Sequence, residues 1–342
     1  MTIHLGLIGG GNISGTHGRA AREIGVEISA IHGTNAGKIS RLSAEFGATP
    51  YTDFQRFLAH RPMDFVAIGS PSGLHAQQGI AVAQRGLHVL VEKPLDISTV
   101  QADALIAATA KAGVILGVFF QDRLKTDLLR VKKWTDAGVL GKLILVDARV
   151  KWYRAANYYR ESKWRGTLRL DGGGALINQA IHTVDLVLWM CGHISAVQAV
   201  RRTALHAIEA EDTVAAILEF QNGAIGTLEA ATSVYPGYPR RVELTGSAGT
   251  VIIEHDRLLA AHLCKPPEDF RSTGDDRNAS ASSATVSDVR GHRAVLEDFV
   301  QAILTNTQPR CPGVEARRSV AVVEAIYQAC ASGKRIELKG KS

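Results

Sequence analysis

Two stretches of this chain carry residue types that can move a proton. Glu92 and Lys93 follow Val89-Leu90-Val91, a β-branched apolar run after Gly86 that reads as a short buried parallel strand. The pair therefore falls at a strand's carboxyl end, where open parallel sheets bind ligands, and Pro94 stops the strand. A surface ion pair is the blander alternative. Further on, ALINQAIHTVDLVLWMCG reads as a helix ending near Gly192, with Ile177, Ile181, Val184 and Leu188 as its core-facing stripe. One residue along, Asn178, His182 and Asp185 recur at i, i+4 and i+7, so three polar groups share a face beside the buried one. A histidine there suits acid-base work near neutral pH and equally suits an exposed structural edge. Asp185 either orients His182 or bonds backbone.

The elements that must position the first stretch alternate regularly. Residues 3–8 (IHLGLI) form a strand, then Gly9-Gly10-Gly11-Asn12-Ile13-Ser14 opens a helical stretch to Gly25. Gly9 and Gly11 match GxGxxG, with Ser14 in the third place, where a small residue still allows close packing. In this strand, turn and helix context, the turn Gly9, Gly11, Asn12 and Ile13 predicts a bound pyrophosphate at the helix start. Residues 26–31 make a second strand, after which an acid is expected for the adenosine ribose. The chain has His32-Gly33-Thr34-Asn35-Ala36-Gly37-Lys38 instead. With no carboxylate to repel a 2′-phosphate, and Thr34, Asn35 and Lys38 beside Gly33 to bind one, NADP is favoured over NAD. Otherwise Lys38 is a solvated helix charge. A helix over 36–46, a short one from Asp53 to His60, a strand over 65–68, the loop Gly69-Ser70-Pro71-Ser72, a helix to Gln84, a helix over 98–112 and a strand over 114–119 complete a doubly wound parallel sheet.

After a helix over 126–137 the pattern changes. Strand-like runs at 143–152, 196–203, 213–220, 224–231, 240–245 and 250–254 predict a mostly antiparallel open sheet, with Asn222-Gly223 as a hairpin turn. One face of such a sheet is available for pairing subunits as a homodimer or homotetramer. Residues 265–287 read as a loop, and helices over 292–305 and 314–331 close the chain. The fold class is α/β: a Rossmann domain over 1–122, then an α+β substrate and oligomerisation domain over 123–342.

Composition narrows the function. A chain of 342 residues with 46% hydrophobic and 21% charged content is globular and long enough for two cores. Its net charge of +6 is spread in pairs such as Arg201-Arg202 and Arg317-Arg318, without a basic stripe, which favours an anionic small ligand over nucleic acid. Cys191, Cys264, Cys311 and Cys330 show no metal or disulfide spacing, pointing to free thiols in a reducing cytoplasm. No apolar run approaches about 18 residues, so no membrane span is expected. Tyr159 and Lys163 match YxxxK, a catalytic pair of single-domain dehydrogenases, but 152–164 is aromatic and loop-like, without the long helix the pair needs. Tyr153, Tyr158, Tyr159 and Trp164 suit a sugar pocket. His255, His262 and Cys264 are explained by strand alternation from Ile252, and no metal is expected.

The fingerprint GGGNIS, the loop SPSGLH, the segment GLHVLVEKPL and the strand GVFFQDR together resemble the glucose-fructose oxidoreductase, inositol dehydrogenase and rhizopine-catabolism family, across nearly the whole chain. The resemblance implies that Lys93 projects toward nicotinamide and substrate, and that Ser70, Pro71, His75 and Glu92 line the cofactor cleft. It implies that Gln121 and Arg123 stand beside the site, between the domains. It also implies that His182 meets Lys93 there, although the family's acid four residues earlier is here Asn178. The expected activity is hydride transfer between NAD(P) and a secondary alcohol or ketone of a sugar, cyclitol or sugar derivative. Lys93 and His182 would handle the proton, and Asn178 would act beside them. A non-catalytic sensor on the same scaffold is the alternative from another class. Biliverdin-type reduction is a third, disfavoured by the Lys and His pair.

Overall fold

The computed structural model describes residues 2–267 and 289–338. The chain divides into two units, Met1–Gln121 with Thr285–Arg317, and Asp122–Ala284 with Arg318–Ser342. The sequence suggested one crossing, at 122; the chain instead returns to the first unit before ending in the second. Of the loop expected over 265–287, residues 268–287 lie outside the described residues.

The first unit is a six-stranded parallel sheet of β1 (His4–Ile8), β2 (Glu27–His32), β3 (Thr49–Tyr51), β4 (Phe65–Ile68), β5 (His88–Val91) and β6 (Leu116–Val118), in the order β3-β2-β1-β4-β5-β6. This is the order of dinucleotide-binding sheets, and it reverses between β1 and β4, where a crevice opens at the carboxyl ends. Strands β4 and β5 are apolar almost throughout because helices cover both faces of a parallel sheet. Helices α1 (Asn12–Glu23), α2 (Ala36–Phe46), α3 (Phe54–Leu58), α4 (His75–Ala83) and α5 (Thr99–Ala112) supply part of that cover. Asn35, Asp53 and Ser98 each cap a helix start through their side chains, and α2 and α5 stop at left-handed glycines.

The remaining cover comes from the far end of the chain. The Arg290–Thr305 helix packs on α1 and sends Phe299, fully buried, to within 5.5 Å of the Phe65 ring. Gly117 of β6 lies beneath Phe299, and a Cβ there would come within 2.7 Å of that ring. Cys311 then bonds β6 through its carbonyl to Val118 N at 2.9 Å.

The second unit is an eight-stranded sheet in the order β13-β12-β11-β7-β10-β9-β8-β14. Its strands are β7 (Leu143–Lys151), β8 (Ile194–Arg202), β9 (Thr213–Phe220), β10 (Ile225–Ala231), β11 (Arg241–Gly246), β12 (Gly249–Glu254), β13 (Arg257–Leu263) and β14 (Ile336–Glu337). Only β7 and β10 pair in parallel. The Asn222-Gly223 turn joins β9 to β10 with Gly223 at φ 87°, as its type requires. Alternation assigns Val146, Ala148, Leu218, Leu228 and Val242 to the covered face and leaves Leu145, Val200, Ile217 and Ile225 exposed. Strand β14 has no counterpart in the sequence-based division. The strand expected to run on from Ile252 ends at Glu254, because His255 and Asp256 turn the chain with φ of 52° and 64°.

The stretch 175–191 covers the inner face of β7, β9 and β10, and it is not one α-helix. Ala175–Ala180 forms a π-helical turn, and the α-helix runs from Ile181 to Cys191. The wide first turn follows from the chain's approach to Glu211, whose carboxylate accepts Gly174 N at 3.1 Å and Leu176 N at 2.9 Å. A Cβ on Gly174 would overlap the Glu211 carbonyl, so glycine is required there.

Candidate active site

At the reversal of the first sheet the chain is shaped for a dinucleotide. Gly9 leaves β1 at φ 125°, and a Cβ there would sit 2.7 Å from the Gly69 carbonyl and 2.6 Å from Ser14 Oγ. That crowding explains a glycine at the first position and a small residue at the third. Gly11 precedes α1 with no side-chain cap, and nothing lies within 4 Å of where its Cβ would be. The first turn of α1, at Asn12 and Ile13, has no side-chain cap and no acidic residue, which fits a pyrophosphate. After β2, Gly33 is buried while Thr34, Asn35 and Lys38 are exposed. The Asn35 carboxamide is partly committed, accepting Lys38 N at 3.0 Å as the cap of α2.

At the same edge of the sheet the turn after β5 is held from several sides. His75, 1% exposed, has its two ring nitrogens 2.8 Å from the Pro94 carbonyl and 3.0 Å from the Ser70 carbonyl, bridging the loop after β4 to this turn. Ser70 Oγ donates to Gln78, and Pro71 leads into the short turn before α4. Asp96 accepts Ala76 N at 2.9 Å and Ile97 N at 2.7 Å. Lys93 is half-buried, and Gln121 Oε1, just past β6, is a buried acceptor without a donor.

Glu92 is not exposed to a cleft alone. Its Oε1 accepts from His17 Nε2 at 2.8 Å and lies 3.4 Å from His292 Nε2. His17 stacks on Phe119 with ring centroids 4.2 Å apart. Burial lowers the His17 pKa, so the ring is neutral at pH 7 and donates its Nε2 proton. Burial works to raise that of Glu92, but the two imidazoles prevail and hold it well below the usual carboxylate range. Among the described residues this is the one trio of metal-ligating types that gathers, and its 2.8 Å contact is that of a hydrogen bond. Neither histidine was singled out from sequence. His17 lies within α1, six residues after Gly11, and His292 arrives from the other end of the chain.

In the second unit His182, near the start of its α-helix, has Asp122 Oδ2 3.6 Å from Nδ1. Asp122 is gripped by Arg240 at 2.7 Å and Lys125 at 2.6 Å, and Arg240 also pairs with Asp256. Burial would raise the Asp122 pKa, but Arg240, His182 and Lys125 carry it far below the usual range, so it remains a carboxylate. The acid beside His182 thus comes from the chain just past β6, not from the preceding helical turn. No periodicity of a single helix could have shown it.

The other residues of that helix have different partners from those expected. Asp185 accepts Arg123 Nε and Nη2, both at 2.7 Å, with the carboxylate 1% exposed. Arg123, expected at the substrate, is 3% exposed and spends its fork on that pair. Asn178 donates from Nδ2 to Asp171 Oδ1 at 2.5 Å and accepts from Gln179 Nε2 at 2.6 Å. Tyr159 is 8% exposed, bonds Thr232 Oγ1 at 2.9 Å, and has its pKa raised to about 12 by burial. It sits on a five-residue helix that stops before exposed Lys163, so YxxxK has no shared helix. Trp164 is half-buried. All four cysteines are free thiols, and no described helix is long and apolar enough to cross a membrane.

Comparison with known proteins agrees with this construction. Residues 3–120 match the model of an oxidoreductase family with an NAD-binding Rossmann fold, and 128–252 match the GFO/IDH/MocA C-terminal domain. The myo-inositol 2-dehydrogenase of Thermotoga maritima is 26% identical over 75% of this chain and 76% of its own length. The rhizopine catabolism protein MocA of Rhizobium meliloti is 26% identical over 94% and 93%. The WlbA dehydrogenase of Bordetella pertussis, crystallised with NADH and UDP-GlcNAcA, superposes with a TM-score of 0.90 at 33% identity, over 99% of this chain and 98% of that one. A six-stranded dinucleotide sheet, an EKP turn at its carboxyl edge and an eight-stranded second sheet, with family models matching 3–120 and 128–252, place the chain in the glucose-fructose oxidoreductase, inositol dehydrogenase and MocA family of NAD-binding oxidoreductases.

Proposed function

We propose that this oxidoreductase interconverts a secondary alcohol and its ketone on a sugar, cyclitol or sugar derivative, with Lys93 and His182 moving the hydroxyl proton. The observation that supports the proposal is that Lys93 and the Gly9–Gly11 turn both lie beyond the carboxyl ends of strands in one sheet. The turn at Gly9–Gly11 would hold a nicotinamide dinucleotide, which would supply the hydride acceptor for oxidation of the carbinol carbon and the donor for reduction of the ketone. Lys93 and His182 take up the hydroxyl proton in the first direction and supply it in the second. The Asp122 carboxylate favours the protonated ring that proton uptake creates. The amides of Asn12 and Ile13 would hold the pyrophosphate, and Gln121 Oε1 would accept from a cofactor donor.

Exposed Thr34, Asn35 and Lys38, with no acid among residues 32–38, support NADP over NAD. The outer sheet face bearing Leu145, Val200, Ile217 and Ile225 supports a homodimer or homotetramer. Free thiols support a reducing cytoplasm as its compartment. The deciding experiment follows reduced-nicotinamide absorbance with NAD and NADP against a panel of sugars, inositols and sugar nucleotides. Turnover of at least one panel member is expected, and silence across the panel with either cofactor would overturn the reading. Light scattering would report the oligomer.

A further inference from the structure

Three arginines are buried among the described residues, and they are not treated alike. Arg123 has Asp185, and Arg240 has Asp122 and Asp256. Arg154, 8% exposed, has no carboxylate within ion-pair distance among the described residues. Its Nη2 donates to Gln179 Oε1 at 2.8 Å, its Nη1 makes a long 3.4 Å contact to the Tyr153 carbonyl, and its Nε is buried without a partner. Its guanidinium lies over Trp152 at 5.1 Å and Tyr158 at 5.4 Å. Arg165 also lies over Tyr158, at 4.3 Å, and over Trp164 at 5.7 Å; its Nη1 makes a long 3.4 Å contact to the Tyr158 carbonyl, its Nε is buried without a partner, and among the described residues it has no carboxylate.

Two like charges over one tyrosine repel, and a buried charge is costly unless it is paired. Ring contacts offset part of that cost, but they leave the fork hydrogens aimed at no anion. Burial accordingly lowers the Arg154 pKa, with Arg165 adding to the effect. The nearby acid is otherwise engaged: Asp171 accepts Asn178 Nδ2 and Gly166 N. Gln179 completes the connection, since its Nε2 donates to Tyr158 Oη at 2.9 Å and to Asn178 Oδ1 at 2.6 Å, one turn before His182. The unpaired cations are therefore wired to the start of the segment that carries His182.

We infer that Arg154 and Arg165 receive an oxyanion on the substrate, a carboxylate or a phosphate, which no described residue supplies. This rests on the sugar-oxidoreductase reading above and narrows it to acidic or phosphorylated sugar derivatives. A planar guanidinium fork matches both groups, and Tyr158 and Trp164 add faces for a sugar ring.

The test is calorimetric titration of the NADH-loaded protein with glucose, glucuronate, UDP-N-acetylglucosamine and the C6 carboxylate of that nucleotide sugar. Equilibrium binding is read apart from turnover, so an enzyme inactive on every sugar would still decide this inference. At least one anionic probe is expected to bind tenfold or more above its neutral partner. Arg165→Ala and Arg154→Gln are expected to remove that advantage by about tenfold to a hundredfold, with NADH affinity unchanged. Dependence on the arginines for glucuronate assigns the carboxylate; dependence for UDP-N-acetylglucosamine assigns the phosphates. Arg165 is only half-buried, so Arg165→Ala decides the matter should Arg154→Gln fail to fold by circular dichroism. Failure of all anionic probes to exceed glucose, or an advantage intact in the folded variants, would overturn the inference.

Discussion

His182 Nδ1 lies 3.6 Å from the Asp122 carboxylate, which is itself fixed by Arg240 at 2.7 Å. A negative charge at that distance favours the protonated ring, and Arg240 retains Asp256 if Asp122 loses its charge. Asp122→Asn should therefore move the rising limb of the oxidative pH profile to lower pH, by about one unit. A profile that does not move would detach Asp122 from the titrating group.

Lys93 stands past the end of β5, outside the sheet's core, so its loss should touch chemistry before folding. Lys93→Ala is expected to lower turnover about a hundredfold or more while NADH affinity changes little. Near-normal turnover would remove it from the proton path.

The loop after β2 separates two effects that sequence alone merged. Lys38→Ala should weaken NADP about tenfold to a hundredfold and leave NAD unchanged. Asn35→Ala should also cost about 1 kcal/mol of stability, because its carboxamide caps α2. Thermal midpoints beside titrations with both cofactors resolve the two. Equal NADP and NAD affinities in the parent protein would sink the NADP preference.

Asn178 donates to Asp171 at 2.5 Å, so an acid at 178 would bring two carboxylates together. Asn178→Asp is expected to destabilise the protein at neutral pH by about 2 kcal/mol, and adding Asp171→Asn should restore it. Chemical denaturation of the single and double variants measures the exchange. Equal stability of parent and single variant would show that the contact contributes nothing.

Acid sensitivity should appear in two stages. His17 and His32 are held below their ordinary value by burial, so the unfolded chain takes up their protons first, and stability declines as pH falls below about 6.5. Glu92 is also depressed, so a second decline begins below about pH 4.5, when the unfolded chain protonates a carboxyl that the folded one keeps ionised. Thermal midpoints from pH 8 to 4 should fall in that order, and His17→Gln should soften the first stage. A flat midpoint between pH 7 and 5 would contradict the assignment.

The strand and glycine pattern of the first sheet could be read because each element carries its own period and breaker: Val89-Leu90-Val91, Gly9, Gly47 and Gly113 each act locally. The partners of the site's charges could not. Asp122 approaches His182 from sixty residues away in sequence, His292 approaches Glu92 from two hundred, and nothing in helical spacing encodes either meeting. The stripe of Asn178, His182 and Asp185 is legible in sequence, but its surroundings are not, because Gly174 pressed against Glu211 opens the first turn into a π-helix and Arg123 pairs with Asp185 from 62 residues away.

Phe299 fills a hollow bordered by Phe65 and Gly117, residues made long before it. A nascent chain that has emerged only through residue 121 thus holds every strand of its nucleotide sheet yet lacks one wall of its core. The usual vectorial order, in which the amino-terminal half finishes while the rest is still being synthesised, is suspended here. The nucleotide unit matures among the last events of biosynthesis, and a ribosome stalled before residue 299 would present an exposed aromatic cavity to the cell's chaperones.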